Sequence, residues 1–475
     1  MISRIFLILI FSMSAWIGVA QKNFEIKFEF DNYENDTLLL AYFYADRQLI
    51  QDTVLADQNG EFIYSGEDTL DGGVYILMFF PEKDYIQFLI NEKETFFTIK
   101  GDRNDLSRPQ FIGSPDNELF YGYLDFIKVL KAKADELNAI RQQAVFEKSD
   151  TSEIDDQLVQ LDQSVKQYQN EIIHNNPESI TSILIKGNRE VEFPEFDADG
   201  EELEKLKFYY YRNHFLDGID LGNPVVLRTP FINYKIERYL EKLTVQMQDS
   251  IIVSVDYLLQ KMEPSLNTWK FYVAHILNKY ANSKVIGMDG VYVHMVDTYY
   301  ASGRTPWADA ETLEKIIDNA DKLRDVLLGK IAPDVTLYTE AGKEVRLHEI
   351  ESPYTVLVFW APDCGHCKKS MAAVVEFDEK FKSKGVSTVS ICTKHMDKTA
   401  SCWEFVKEKN MEGFAYNLAD EYHRSRFQVK YNIRTTPQIF ILDKDKKILI
   451  KRLASEKLED VMLEILKMEA SQETE

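Results

Sequence analysis

One stretch constrains the fold of this chain more than any other. It is Val356-Leu357-Val358-Phe359-Trp360-Ala361-Pro362-Asp363-Cys364-Gly365-His366-Cys367-Lys368-Lys369-Ser370-Met371. An apolar, β-branched and aromatic run leads through a short turn into a Cys-x-x-Cys. A helical pattern follows, with Met371, Val374, Val375, Phe377 and Phe381 as its apolar positions. The pattern predicts a strand that delivers two thiols to the N-terminus of a helix. Unpaired N–H groups and the positive end of the helix dipole stabilise a thiolate there. The thiolate, not the thiol, attacks a disulfide.

Three segments in order carry a family resemblance. Phe359-Trp360-Ala361 with Cys364-Gly365-His366-Cys367 resembles a thioredoxin-fold active site. Upstream, Gly329-Lys330-Ile331-Ala332-Pro333-Asp334, with Leu337, Gly342 and Leu347, resembles the lead-in of the exported TlpA/ResA-like branch. Downstream, Arg434-Thr435-Thr436-Pro437-Gln438-Ile439-Phe440-Ile441-Leu442-Asp443 resembles the cis-proline segment and the strand after it. The resemblance covers the chain from Gly329 onward and says little about what precedes it.

The chain has 475 residues, enough for several domains. Its formal net charge of −23 argues against nucleic acid or anionic membrane surfaces as partners. At the N-terminus Arg4 precedes an apolar run from Ile5 to Val19, and Gly18-Val19-Ala20 supplies small residues before Gln21. This reads as a secretory signal peptide over residues 1–20. The expected location is therefore the periplasm, with attachment to the inner membrane if the segment stays uncleaved. The four cysteines, Cys364, Cys367, Cys392 and Cys402, all lie in the last quarter, so no disulfide scaffold supports the rest.

The predicted fold is multidomain α+β. Residues 21–112 alternate with period two and read as a β-sandwich. Phe24, Ile26, Phe28 and Phe30 alternate with Glu25, Lys27 and Glu29. Asn59-Gly60 between Val54-Leu55 and Phe62-Ile63-Tyr64 signals a hairpin. Residues 113–326 read as helical. Ser114-Pro115-Asp116-Asn117-Glu118 is a capped helix start. Ile154, Leu158, Leu161, Val165, Tyr168 and Ile172 form a stripe that predicts an intramolecular hairpin with 116–145, ended by Asn175-Asn176-Pro177. Phe208-Tyr209-Tyr210-Tyr211 and Tyr292, Tyr299, Tyr300 read as aromatic core rather than a peptide groove, and Ala320 to Leu328 as the region's last helix. His174, His214, His275 and His294 are isolated, without metal-ligand spacing.

Residues 327–475 read as the thioredoxin-like domain, a mixed sheet with helices on both faces. Strands are predicted near 335–337, 344–347, 354–360, 386–391, 414–417, 438–442 and 447–453. Helices are predicted near 364–384, 398–409, 420–427 and 456–469.

For the chemistry, Cys364 is the candidate nucleophile and Cys367, one turn into the helix, the resolving thiol. His366, when protonated, would stabilise the Cys364 thiolate and so the reduced form. Gly365-His366 between the cysteines resembles the isomerase-like version of the motif, which implies a potential of roughly −250 to −150 mV, between thioredoxin and the strong oxidants. The resemblance implies that Pro437 is cis and faces the redox pair, leaving the Thr436 backbone free to pair with an extended substrate. It also exposes a departure. Many thioredoxins carry a buried acid two positions before the aromatic that corresponds to Trp360, and here that position is Val358. Glu376, Asp420 and Asp363 are alternative proton carriers for Cys367, while Asp363 beside Cys364 would oppose its ionisation. Cys392 and Cys402 read as buried apolar residues ahead of a structural disulfide or a redox relay.

The leading functional expectation is an exported thiol–disulfide oxidoreductase, of reductase or isomerase type. It would act on protein disulfides and draw electrons from a membrane thiol–disulfide reductase. No cofactor or metal set is read. The alternative is a binding protein on a thioredoxin scaffold, whose N-terminal region captures a partner and whose redox pair is secondary. A zinc site lacks a second Cys-x-x-Cys, and a peroxide reductase would resemble a Thr where Ala361 stands.

Overall fold

The computed structural model describes residues 22–472, so the predicted signal peptide lies outside the described residues. The chain forms two compact units. One runs up to Tyr239 and includes Pro264–Thr268; the other comprises Leu240–Glu263 and the chain from Trp269 onward.

The first unit opens with eight strands: β1 Phe24–Asp31, β2 Thr37–Tyr44, β3 Arg47–Leu55, β4 Phe62–Gly66, β5 Gly73–Phe79, β6 Tyr85–Ile90, β7 Phe96–Asp102 and β8 Asp105–Ile112. They make two four-stranded sheets, in the orders β4-β1-β7-β8 and β3-β2-β5-β6. Alternation sorts the side chains as expected. Phe24, Ile26 and Phe28 are buried, while Glu25 pairs with both Lys22 and Lys27 near the surface. The core between the sheets is largely aromatic, with Phe28, Phe79 and Phe88 fully buried.

The Asn59-Gly60 turn closes a single antiparallel bridge, Ala56 with Phe62, and the hairpin goes no further. Asp57 and Glu61 close the turn, with Gly60 at φ +79°, but β3 pairs with β2 while β4 crosses to β1 in the other sheet. The local turn forms as its residues predict. The partner choice belongs to the cores, which need both strands on different sheets.

Helix α1 (Pro115–Phe146) starts where predicted, without the predicted cap: the Ser114 hydroxyl donates to Glu94 instead. The next two side chains are buried in other roles. Asn117 accepts from the Leu89 N–H and donates to its carbonyl, both at 2.7 Å, as a neighbouring strand would. The Asp116 carboxylate receives the N–H of Ile180 and the hydroxyl of Thr181, both at 2.7 Å, at the start of α3 (Ile180–Asn188). Before α3, α2 (Ser152–Asn175) folds back on α1 as the intramolecular hairpin. Phe126 packs on Tyr168, and Gln169 donates to the Tyr123 hydroxyl.

The helical region continues through α4 (Gly200–His214), α5 (Ile232–Lys242), α6 (Gln248–Met262), α7 (Leu266–Ala281), α8 (Asp289–Met295) and α9 (Ala310–Arg324). Two expectations change here. The last helix is α9, which begins ten residues before Ala320 and is capped by Asp309 accepting from the Thr312 N–H. The aromatic core reading holds for Tyr292, Tyr299 and Tyr300 but fails for α4. That helix buries no residue, and Phe208 and Tyr209 are exposed.

The C-terminal part is a seven-stranded mixed sheet. Its strands are β9 Thr336–Tyr338, β10 Glu344–Arg346, β11 Tyr354–Trp360, β12 Val386–Cys392, β13 Tyr416–Ala419, β14 Gln438–Leu442 and β15 Ile448–Lys451, in the order β10-β9-β13-β12-β11-β14-β15. The central β11 is buried at every position, parallel to β12 and antiparallel to β14. Its alternation splits the core in two. Val356, Val358 and Trp360 pack with α10 (Gly365–Phe381), α11 (Ala400–Glu408) and α13 (Leu458–Gln472); Leu357 and Phe359 pack on the other face with Phe427 and Tyr431 around α12 (Phe427–Lys430). The predicted helix at 420–427 is instead a loop. Asp420, buried, accepts from the N–H groups of Arg424 and Ser425 and the Ser425 hydroxyl, holding the backbone out of helix until Phe427.

Candidate active site

β11 ends at Trp360, and a three-residue turn carries the chain to Cys364, the N-cap of α10. The Cys367 N–H donates to Cys364 Sγ at 3.3 Å, so one orphan donor of the helix end points at the sulfur. The Cys364 thiol in turn donates to the Thr436 carbonyl at 3.2 Å. The Thr436–Pro437 peptide is cis, as the resemblance implied, and lies across from the redox pair. A second cis peptide, Phe80–Pro81, lies in the β-sandwich.

The two thiols are free and sit in unlike surroundings. Burial pushes the Cys364 thiol up, but hydrogen bonding with the side chains of Cys367 and Thr436 and from the backbone N–H groups of Cys367 and His366 outweighs it, and its pKa falls below that of an ordinary thiol. Cys367 is fully buried in the core. Burial, with its hydrogen bond to Cys364, pushes it up to about 11. At neutral pH the outer sulfur is therefore the one primed to ionise, and the inner one keeps its proton.

The other named residues are placed as follows. His366 is exposed in the first turn of α10. Val358 is buried in the same cluster as Cys367, so no acid occupies that position. Asp363 lines the same cavity as Cys364, but its charge is partnered by a lysine. Its carboxylate takes a hydrogen bond from Lys394 at 2.7 Å, and that contact holds it below the usual carboxylate range. Asp420 is spent on its loop, and Glu376 is exposed on α10. Among the described residues none of the three carboxylates hydrogen-bonds Cys367. Three of the four histidines outside this domain have local partners: His214 bonds Asp217, His275 stacks on Phe271, and His294 bonds Asp256.

Cys392 and Cys402 are not separate buried thiols. They form a disulfide, with Cα atoms 6.2 Å apart. Cys392 ends β12 opposite Trp360, and Cys402 lies in the first turn of α11. Both sulfurs are buried, so the apolar reading of their surroundings was sound and their separateness was not.

Cys364 opens into a cavity of about 600 Å³. One wall is the 393–398 loop with Lys394, His395 and Lys398; the other carries Arg434 and Thr436. Sequence reasoning did not nominate Lys394, Lys398 or Arg434. Their signal was position: each follows the C-terminal end of a strand or precedes the cis-proline, where open α/β sheets place ligands.

Comparison with known proteins agrees with this architecture. A model of the AhpC/TSA family matches residues 328–450. Two domains of unknown function, DUF5106 and DUF4369, match residues 163–325 and 24–120. A curated relative, the thioredoxin-like protein YneN of Bacillus subtilis, is 26% identical over 119 residues; the match spans 24% of this chain and 65% of that protein. A solved domain described as that of a possible thiol-disulfide isomerase from Cytophaga hutchinsonii is 29% identical, covering 32% of this chain and 98% of its own at a TM-score of 0.29. A thioredoxin-like protein from Bacteroides caccae is 14% identical, covering 58% and 97% at a TM-score of 0.45. The C-terminal domain has a thioredoxin-like fold, preceded by further domains.

Proposed function

We propose that this protein is an exported thiol–disulfide oxidoreductase, of reductase or isomerase type, that exchanges disulfides with protein substrates through Cys364 and Cys367. The observation that carries the reading is the asymmetry of the pair. An accessible sulfur with a lowered pKa caps α10 beside the cis Thr436–Pro437 peptide, and a buried, protonated sulfur lies one turn behind it.

In the reductive direction the Cys364 thiolate attacks one sulfur of a substrate disulfide. A mixed disulfide forms, and the other substrate sulfur leaves as a thiolate that takes a proton. Cys367 then gives up its proton and attacks Cys364 Sγ. The Cys364–Cys367 bond forms, the mixed disulfide breaks, and the substrate leaves as a dithiol carrying two electrons and two protons. With no carboxylate bonded to Cys367, water entering the cavity takes its proton. The oxidised enzyme is recharged by an external dithiol, which for a periplasmic protein would be a membrane thiol–disulfide reductase. The location rests on the N-terminal apolar run and the small residues after it.

The test is the reduction potential of the Cys364–Cys367 couple in glutathione buffers, with Cys364→Ser as control. A reversible couple between roughly −250 and −150 mV supports the reading. Absence of any reversible disulfide at this pair defeats it.

A further inference from the structure

We propose that the cavity beside Cys364 selects disulfides flanked by acidic residues, with Lys398 and Arg434 as the specificity-determining cations. This inference rests on the oxidoreductase reading and names its substrate class.

The chain as a whole carries −23, yet in the lining of this cavity cations outnumber carboxylates, three to two. Lys394, Lys398 and Arg434 face it together with His395, against two carboxylates, Asp363 and Asp397. Asp363 is already bound to Lys394, and Lys398 adds its field to the same carboxylate from further away. Arg434 is held by neutral groups alone: Nε donates to Asn432 Oδ1 at 3.0 Å, and a terminal nitrogen donates to Asn319 Oδ1 at 3.1 Å. Those bonds fix the guanidinium without cancelling its charge. A cation held in that way and exposed to a cavity has its remaining donors free for a carboxylate.

The opposite wall is equally fixed. Thr393 donates both N–H and hydroxyl to the Trp360 carbonyl, and Gln428 donates to the Thr393 carbonyl at 2.7 Å. The Met396 N–H is held by the Glu421 carbonyl at 2.9 Å. The Cys392–Cys402 disulfide closes this loop at both ends. The cations therefore flank the Cys364 sulfur on two prebuilt walls. An extended peptide lying along Thr436 would pass between them, placing the residues beside its cysteine within reach of Lys398 and Arg434.

The test uses the full chain, reduced, in single-turnover reactions with two synthetic peptide disulfides. The two differ only in having Glu or Lys on either side of the cysteine. The expected result is a second-order rate constant about tenfold higher for the Glu peptide at low ionic strength, with the gap closing in roughly 0.5 M salt. Lys398→Glu/Arg434→Glu should reverse the preference. Both side chains are exposed, and the salt dependence of the unaltered protein gives the same answer without any variant. Equal rates for the two peptides, or a preference indifferent to salt and to charge reversal, overturn the proposal. Failure to reduce either peptide defeats the oxidoreductase reading instead, and this proposal falls with it.

Discussion

The two cysteine pairs share one domain and one hydrophobic cluster, and they are in opposite states. Cys367, Cys392 and Cys402 are all buried in the core that includes Val356 and Trp360, with Cys364 packed at its edge. One pair is a free dithiol, and the other is a disulfide. Sequence spacing is not what separates them chemically. Cys364 caps a helix and opens into a cavity, so its sulfur receives N–H donors and solvent. Cys392 ends a central strand, and Cys402 lies inside a short helix. Neither sulfur has an opening through which a thiolate could approach. Accessibility and a helix terminus make a disulfide exchangeable; burial on all sides makes it a staple.

The sharpest way to break this comparison is to remove one sulfur from each pair. Cys364→Ser should lower peptide-disulfide reduction by about a thousandfold or more, because no other accessible thiol can start the exchange. Cys367→Ser should instead trap a mixed disulfide, visible as an added mass on the intact protein. Turnover persisting in Cys364→Ser would mean that the buried pair exchanges after all.

The next effect is one of reactivity against pH. Cys364 has a lowered pKa, so its alkylation by iodoacetamide should rise through a midpoint below that of a free thiol. Cys367, at about 11, should stay unmodified at neutral pH. Thiolate fractions at pH 7 then differ by roughly a hundredfold or more. Mass spectrometry of peptides alkylated between pH 5 and 9 reads both sites in one experiment. Equal labelling would remove the asymmetry on which the attack order rests.

The stapling pair should behave as stability, not chemistry. The bond closes a loop across ten positions of sequence, for which chain entropy predicts about 2–3 kcal/mol. Cys392→Ala/Cys402→Ala should lower the denaturant midpoint of the C-terminal domain accordingly, while Cys364 alkylation keeps its pH profile. A profile that moved with the staple would show the two pairs to be coupled.

What the sequence disclosed follows the same line between local and assembled properties. β11 and β14 fall at the predicted residues 354–360 and 438–442, because an unbroken apolar run bounded by turns has few other uses in a mixed sheet. Cys364, Cys367, Thr436 and Pro437 meet as expected, since each is tied to such a strand. Partnerships between segments were illegible. Asn59-Gly60 specifies a turn but not which sheet receives β4. Cys392 and Cys402 specify two buried sulfurs, and only the packing of α11 beside the end of β12 makes them one bond. Asp363 looked like a charge opposing the thiolate until Lys394, 31 residues on, proved to hold it. The cations lining the cavity are likewise assembled from separate loops.

His366 provides the smallest and most discriminating test. It stands between the two cysteines yet is exposed, so solvent screens its charge from the Cys364 sulfur. A protonated imidazole favours the thiolate, which stabilises the reduced form and makes the couple more oxidising. His366→Ala should therefore shift the potential to more negative values, by about 10–30 mV, equivalent to roughly 0.5–1.4 kcal/mol for a two-electron couple. Glutathione-buffer titration resolves such a shift. A change several times larger would mean that the residue between the cysteines, rather than the helix terminus and the Thr436 segment, sets the thiolate's stability. A change of opposite sign would mean that the imidazole favours the disulfide. Within the predicted range, the difference between the reactive pair and the buried pair belongs to where the fold puts the sulfurs.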